Sequence, residues 1–148
     1  MSFAWVFLGG REKTYKDETA NDNDKTITIT SNTVFKLECI HLEVTTTATV
    51  GNRRIGVIIQ DSDGNNILAF TASDVQEESK DFNYEFYPGA DRIGAEINSP
   101  LSGFEGMLTY PIPALILHGG ATIRVFDVNA VDVNDTIKIY IKGLEVNQ

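Results

Sequence analysis

Along this chain apolar residues recur at every second position far more often than at every third or fourth, and Gly, Pro, Asn and Asp interrupt the runs at short intervals. That period belongs to strands with one buried face. Segments 2–8, 25–31, 34–48, 53–60, 66–72, 81–87, 104–110, 113–118, 121–128 and 136–146 read as strands. The predicted fold is all-β: a two-sheet antiparallel sandwich of jelly-roll type with about 8–10 strands. Asp63-Gly64 has the form of a two-residue primed turn. Pairing Ser62 with Asn65 then sets Ile59 opposite Leu68 and Val57 opposite Phe70. A slip of one residue would turn all four outward, so turn and alternation specify one register.

Gly119-Gly120 predicts a second hairpin in which His118 pairs with Ala121. Ile116 then faces Ile123 and Ala114 faces Val125 on the core side, with Leu115 opposite Arg124 on the other. The core faces read this way hold Val57, Ile59, Leu68, Phe70, Ile116 and Ile123. In the last strand Ile137, Ile139 and Ile141 alternate with Lys138, Tyr140 and Lys142. Segment 34–48 changes phase, because Phe35, Leu37 and Cys39 share one parity while Ile40, Leu42 and Val44 share the other. Either a β-bulge or bend re-aims the chain near Cys39, or the strand is covered on both faces. A bulge would place His41 in solvent beside Glu43; a doubly covered strand would place it in the core.

The N-terminal segment departs from one-sided packing: Phe3, Trp5 and Phe7 line one face, and Ala4, Val6 and Leu8 the other. It must be covered twice, as a central strand of its own sheet or as an arm against a neighbouring subunit. Gly9-Gly10 and the polar residues 11–24 follow with the composition of a long loop. The organisation expected is one domain, with an N-terminal strand or arm and polar loop at 1–24 and the sandwich at 25–148. Residues 73–79 read as a helical turn or a polar loop.

Composition narrows the class. The 148 residues suffice for a single core, and 42% hydrophobic with 22% charged residues is ordinary globular usage. A formal net charge of −9 repels phosphate backbones and anionic lipid, so neither nucleic acid nor membrane is an expected partner. Cys39 is the sole cysteine and cannot form an internal disulfide. The first ten residues carry no basic run before a short apolar one, which resembles neither a signal peptide nor a membrane span.

Candidate chemistry is sparse. Asp61, Asp63 and Asn65 have the alternating oxygens of a calcium loop, but Gly64 comes too early and Ala72 stands at the twelfth position, so a hairpin turn is the better reading. Asp127, Asn129, Asp132 and Asp135 would chelate a cation only if their loop curls; solvated turn residues fit them better. Cys39 lies in an apolar strand and reads as a buried inert thiol. His118 beside two glycines reads as a turn flank, since no nucleophile elbow accompanies it. Phe82, Tyr84 and Phe86 alternate as core, with Asp81, Asn83 and Glu85 on the opposite face where they cannot help bind a sugar. No cofactor and no catalytic residue is assigned.

One acidic all-β domain with a double-faced apolar N-terminal segment, Asn/Asp/Thr-rich loops, one cysteine and no catalytic constellation resembles the small jelly-roll cement or decoration proteins of tailed bacteriophage heads. The resemblance implies a non-catalytic virion protein, made in the host cytoplasm. It also implies homo-oligomers, commonly trimers, that bind and stabilise a capsid-like assembly through the major capsid protein or another virion protein. Phe3, Trp5 and Phe7 would be the leading contact residues. The alternative is a carbohydrate- or receptor-binding module of a phage tail or larger apparatus, stacking ligand on Trp5, Tyr87 or Tyr110. A hydrolytic enzyme of unfamiliar type is the remaining rival.

Overall fold

The computed structural model describes residues 10–22, 24–90 and 106–148. They form ten strands: β1 (Arg11–Asn21), β2 (Lys25–Thr28), β3 (Thr33–Thr45), β4 (Ile55–Gln60), β5 (Asn66–Thr71), β6 (Asp81–Tyr87), β7 (Gly106–Pro111), β8 (Leu115–His118), β9 (Thr122–Asp127) and β10 (Thr136–Asn147). One sheet runs β1-β10-β3-β6-β7, with β8 also on β3, and the other runs β2-β9-β4-β5. The pairs nest: β4 with β5, β3 with β6, β2 with β9, β1 with β10. Successive pairs fall alternately in the two sheets, so the chain is a ribbon doubled at the β4–β5 turn and rolled up. This is a jelly-roll sandwich, as the alternation predicted.

The core lies between the sheets. Val57, Ile59, Ile123 and Val125 line one inner face and Phe35, Leu42, Tyr84, Phe86, Ile139 and Ile141 the other, all fully buried. Each aliphatic side chain moved out of water contributes roughly 1.5–3 kcal/mol. The predicted strands from 25 onward are present, with ends shifted by a few residues; segment 2–8 lies outside the described residues.

The β4–β5 register holds, with Ile59 opposite Leu68 and Val57 opposite Phe70, but the turn differs. Asp61 N–H donates to the Asn65 carbonyl and Gly64 N–H to that of Asp61, closing a three-residue loop with Gly64 at φ 84° rather than a Ser62–Asn65 pair. The extra residue is absorbed by a bulge, since Gln60 pairs with Asn66 and Ile59 with Leu68. Ile67 is left over and turns outward, 44% exposed.

At Gly119-Gly120 the turn forms, with Ala121 N–H on the His118 carbonyl, but no hairpin follows. β8 pairs with β3, whereas β9 pairs with β2 and β4 in the other sheet. The turn is a crossing between sheets, and each strand takes its facing from its own ladder. Leu117 is therefore the core residue of β8, Ile116 is half-buried and Ala114 exposed; Ile123 and Val125 point inward as expected.

The phase change in β3 is a bulge. Lys142 pairs with Cys39 and Gly143 with Leu37, leaving Glu38 unmatched, so Phe35 and Leu37 join Ile40, Leu42 and Val44 in the core. Gly143 permits this, because an added Cβ would lie 2.1 Å from the Lys36 carbonyl oxygen. Residues 73–79 form a polar loop tied down where Gln76 bridges to Arg53.

The largest departure is β1. Residues 11–24 are polar enough to read as a loop, yet eleven of them form an edge strand paired with β10 from Arg11–Glu145 to Asn21–Ile137. Apart from Tyr15, which packs on Phe35, their inward side chains meet polar partners, so the strand leaves no hydrophobic alternation to detect. Among the described residues no helix is long and apolar enough to cross a membrane.

Candidate functional site

The expected contact residues Phe3, Trp5 and Phe7 lie outside the described residues. What the structure defines is the strand that follows them. Tyr15, on the inner face of β1, stacks edge-on against Phe35 with ring centroids 5.3 Å apart. Its hydroxyl donates to Glu145 Oε2 at 2.5 Å and accepts from the Thr30 backbone N–H at 3.1 Å. Burial and the neighbouring Glu145 carboxylate push the Tyr15 phenol upward, so it stays a donor. Glu145 is 4% exposed and also faces the Arg11 guanidinium at 3.9 Å. At the far end of β1, Lys25 is 2% exposed and donates from Nζ to the Thr19 carbonyl and to Asn21 Oδ1, with Asp17 at 3.9 Å. Two buried charges of opposite sign thus hold the strand, since detaching β1 would leave each without its partners.

Cys39 and His41 project from the outer face of β3 toward Glu85 on β6. The Cys39 thiol donates to Glu85 Oε2 at 3.1 Å, and His41 Nδ1 lies 2.7 Å from Glu85 Oε1. Glu43 is 3.7 Å from His41 Nε2, so the imidazole lies beside Glu43 on the outer face as a bulge requires, but half-buried against Glu85 and Tyr140 rather than in solvent. Burial, then the hydrogen bond and charge of Glu85, push the Cys39 thiol up to about 12. A nucleophilic cysteine needs the opposite environment. The carboxylate that would orient a histidine base instead keeps the thiol protonated.

The acidic residues of the β9–β10 loop serve the fold. Asp135, 3% exposed, takes a bidentate contact from the buried Arg53 at 2.8 and 3.1 Å and the Thr47 N–H at 2.8 Å. Asp132 accepts from the Thr47 and Thr49 hydroxyls and the Asn134 N–H, and those bonds hold its carboxyl well below the usual carboxylate range. Asp127 accepts from the N–H groups of Arg54 and Asn129. Sequence reasoning grouped these aspartates but missed Arg53, which the chain supplies from the β3–β4 loop. Asp61 takes the Asp63 and Asn65 N–H groups and caps its own hairpin. Among the described residues no set of three or more His, Cys, Asp or Glu side chains is arranged to hold a metal ion.

The aromatic residues divide in the same way. Phe82, Tyr84 and Phe86 are buried, and the Tyr84 hydroxyl donates to Gln76 Oε1 at 3.0 Å. Tyr110 is 6% exposed and bonds Asp74, so it offers no face for stacking; Tyr87 is 37% exposed. His118 is exposed, on the rim of a cleft between the β4–β5 and β8–β9 turns.

No protein-family model matches this chain, and no curated protein does. Among solved structures it overlaps a chain of infectious bursal disease virus, Gx strain, at 13% identity and TM-score 0.35, over 93% of this chain and 32% of that one. It overlaps tobacco streak virus coat protein at 9% identity and TM-score 0.34, over 92% and 87% of the two chains. It overlaps an agarase at 10% identity and TM-score 0.36, over 96% and 22%. The chain spans about a third of the length of the bursal disease virus chain. Overlaps of this size extend alike to virion proteins and glycosidases, so they do not separate the two classes.

Proposed function

We propose that this is a non-catalytic virion structural protein of the cement or decoration kind, which binds and stabilises a capsid-like assembly through its sandwich and N-terminal arm. Its partners are the major capsid protein or another virion protein, and copies of itself, with a trimer favoured by the family it resembles. The observation that carries this reading is the anchoring of β1. The apolar segment with Phe3, Trp5 and Phe7 precedes a strand paired with β10 and held by the buried Glu145 and Lys25. The Cys39 thiol, the His41 imidazole and the carboxylates of Asp61, Asp127, Asp132 and Asp135 are engaged in internal contacts, which fits a scaffold better than an enzyme. Modest contacts repeated over symmetric copies give large avidity.

The test is sedimentation velocity of the full chain beside a variant lacking residues 1–9, with circular dichroism to confirm that the sandwich is retained. Loss of the oligomer on deletion is the expected result. A truncated protein that keeps the full chain's mass would overturn the arm.

A further inference from the structure

The β4–β5 bulge turns Ile67 outward at the edge of a cavity of about 260 Å³, between the Asp61–Asn65 turn and the β8–β9 crossing. Ile116, Leu117 and Ala121 give it an apolar lining beside Ile67, and Asp61, Ser62, Asp63 and His118 add polar groups to its rim. Bulges often re-aim a side chain for use, and the core gains nothing from an isoleucine held in solvent.

The cavity lies at the end of the sandwich where β1 begins. Val34 pairs with His118 on one side and Val146 on the other, and Arg11 pairs with Glu145. It lies on the opposite flank, however, because the path β1-β10-β3-β8 places β8 three strand spacings from β1, about 14 Å. β1 runs inward from this end, so the described chain begins here, at Gly10. Residues 1–10 contain aromatic and aliphatic side chains and no acid, and Arg11 follows. The apolar lining suits those side chains, and the acidic rim suits a segment that carries no acid.

We infer that this cavity receives an aromatic side chain from the N-terminal segment of a second copy. The inference rests on the arm reading above and names the arm's receptor. Donor and acceptor are different surfaces, so each copy inserts its own segment into another, by reciprocal exchange between two copies or around a closed ring. One aromatic ring fits the cavity, and each copy gives and receives once.

The test mixes two full-length variants. Ile67→Asp blocks the cavity at an exposed position; Phe3→Ser/Trp5→Ser/Phe7→Ser removes the donor. Each alone should sediment as a monomer, with association weakened at least tenfold, and an equimolar mixture should form a one-to-one complex. A mixture that does not pair overturns the inference, as does a wild-type chain that is monomeric because its segment fills its own cavity. An Ile67→Asp protein that keeps its oligomer while the triple variant loses it overturns the cavity and leaves the arm standing. A triple variant that stays oligomeric removes the arm reading itself. Asp63→Lys, at an exposed rim position, gives a second reading: weaker association is expected, and unchanged association contradicts the acidic rim's role.

Discussion

Arg53 and Asp135 show how single residues in this chain carry shape. A buried guanidinium and carboxylate in bidentate contact tie the β3–β4 loop to the β9–β10 loop, with Thr47, Thr49 and Asp132 completing the set. Asp135→Ala would leave Arg53, 1% exposed, without its counter-charge and with only the Thr49 and Gly51 carbonyls and the Thr47 hydroxyl to hold it, a loss of about 3 kcal/mol readable as a lower urea midpoint. Cys39 gives a second prediction. Its thiol is raised from 9.0 to about 12, chiefly by burial and next by Glu85. The folded state therefore holds its proton over a range where the unfolded chain has released it. That contribution is full below pH 9 and is lost as pH rises toward 12. In the native protein at pH 8, alkylation by iodoacetamide should be far slower than in urea, and Glu85→Gln should speed it several-fold; equal native rates would contradict the shared carboxylate. The sequence showed Cys39 in an apolar strand, but Glu85 is 46 residues away and the contact depends on the β3–β6 register.

At the scale of elements, local alternation revealed nearly every strand with an apolar face, and it failed where the inward positions are polar. β1 is the clear case. Tyr15 alone among its inward residues packs on the core, and its stability comes from Glu145, far along the chain, and from Lys25, just past the strand's end, each individually unremarkable in the sequence. Tyr15→Phe should cost about 1–3 kcal/mol by leaving Glu145 without its buried donor, and amide exchange should accelerate first along β1. If β1 exchanges no faster than in the parent chain, the Tyr15–Glu145 bond is not what holds the strand. The β8–β9 turn failed differently. Gly119-Gly120 fixed a reversal correctly, but a tight turn does not say whether its flanking strands pair, and here they enter different sheets. The bulge in β3, by contrast, was visible because it left a phase break among large apolar residues.

For the whole molecule, the nested order was not legible, since β1 meets β10 and β2 meets β9 through contacts spanning most of the chain. The innermost hairpin was legible, and it is the apex of the ribbon from which the rest is rolled. Net charge acts at this scale too. Copies carrying −9 repel one another, so association through apolar contacts should strengthen as salt rises from 20 to 300 mM. The most direct test of the assembly role uses Trp5, the chain's sole tryptophan, which lies in the proposed arm. Its emission would be followed as protein concentration rises from nanomolar to tens of micromolar, with the sedimenting mass measured on the same samples. A blue shift that tracks the growth in mass is the result the arm predicts. Emission that stays unchanged while the protein associates, or a chain that neither shifts nor associates, would contradict it.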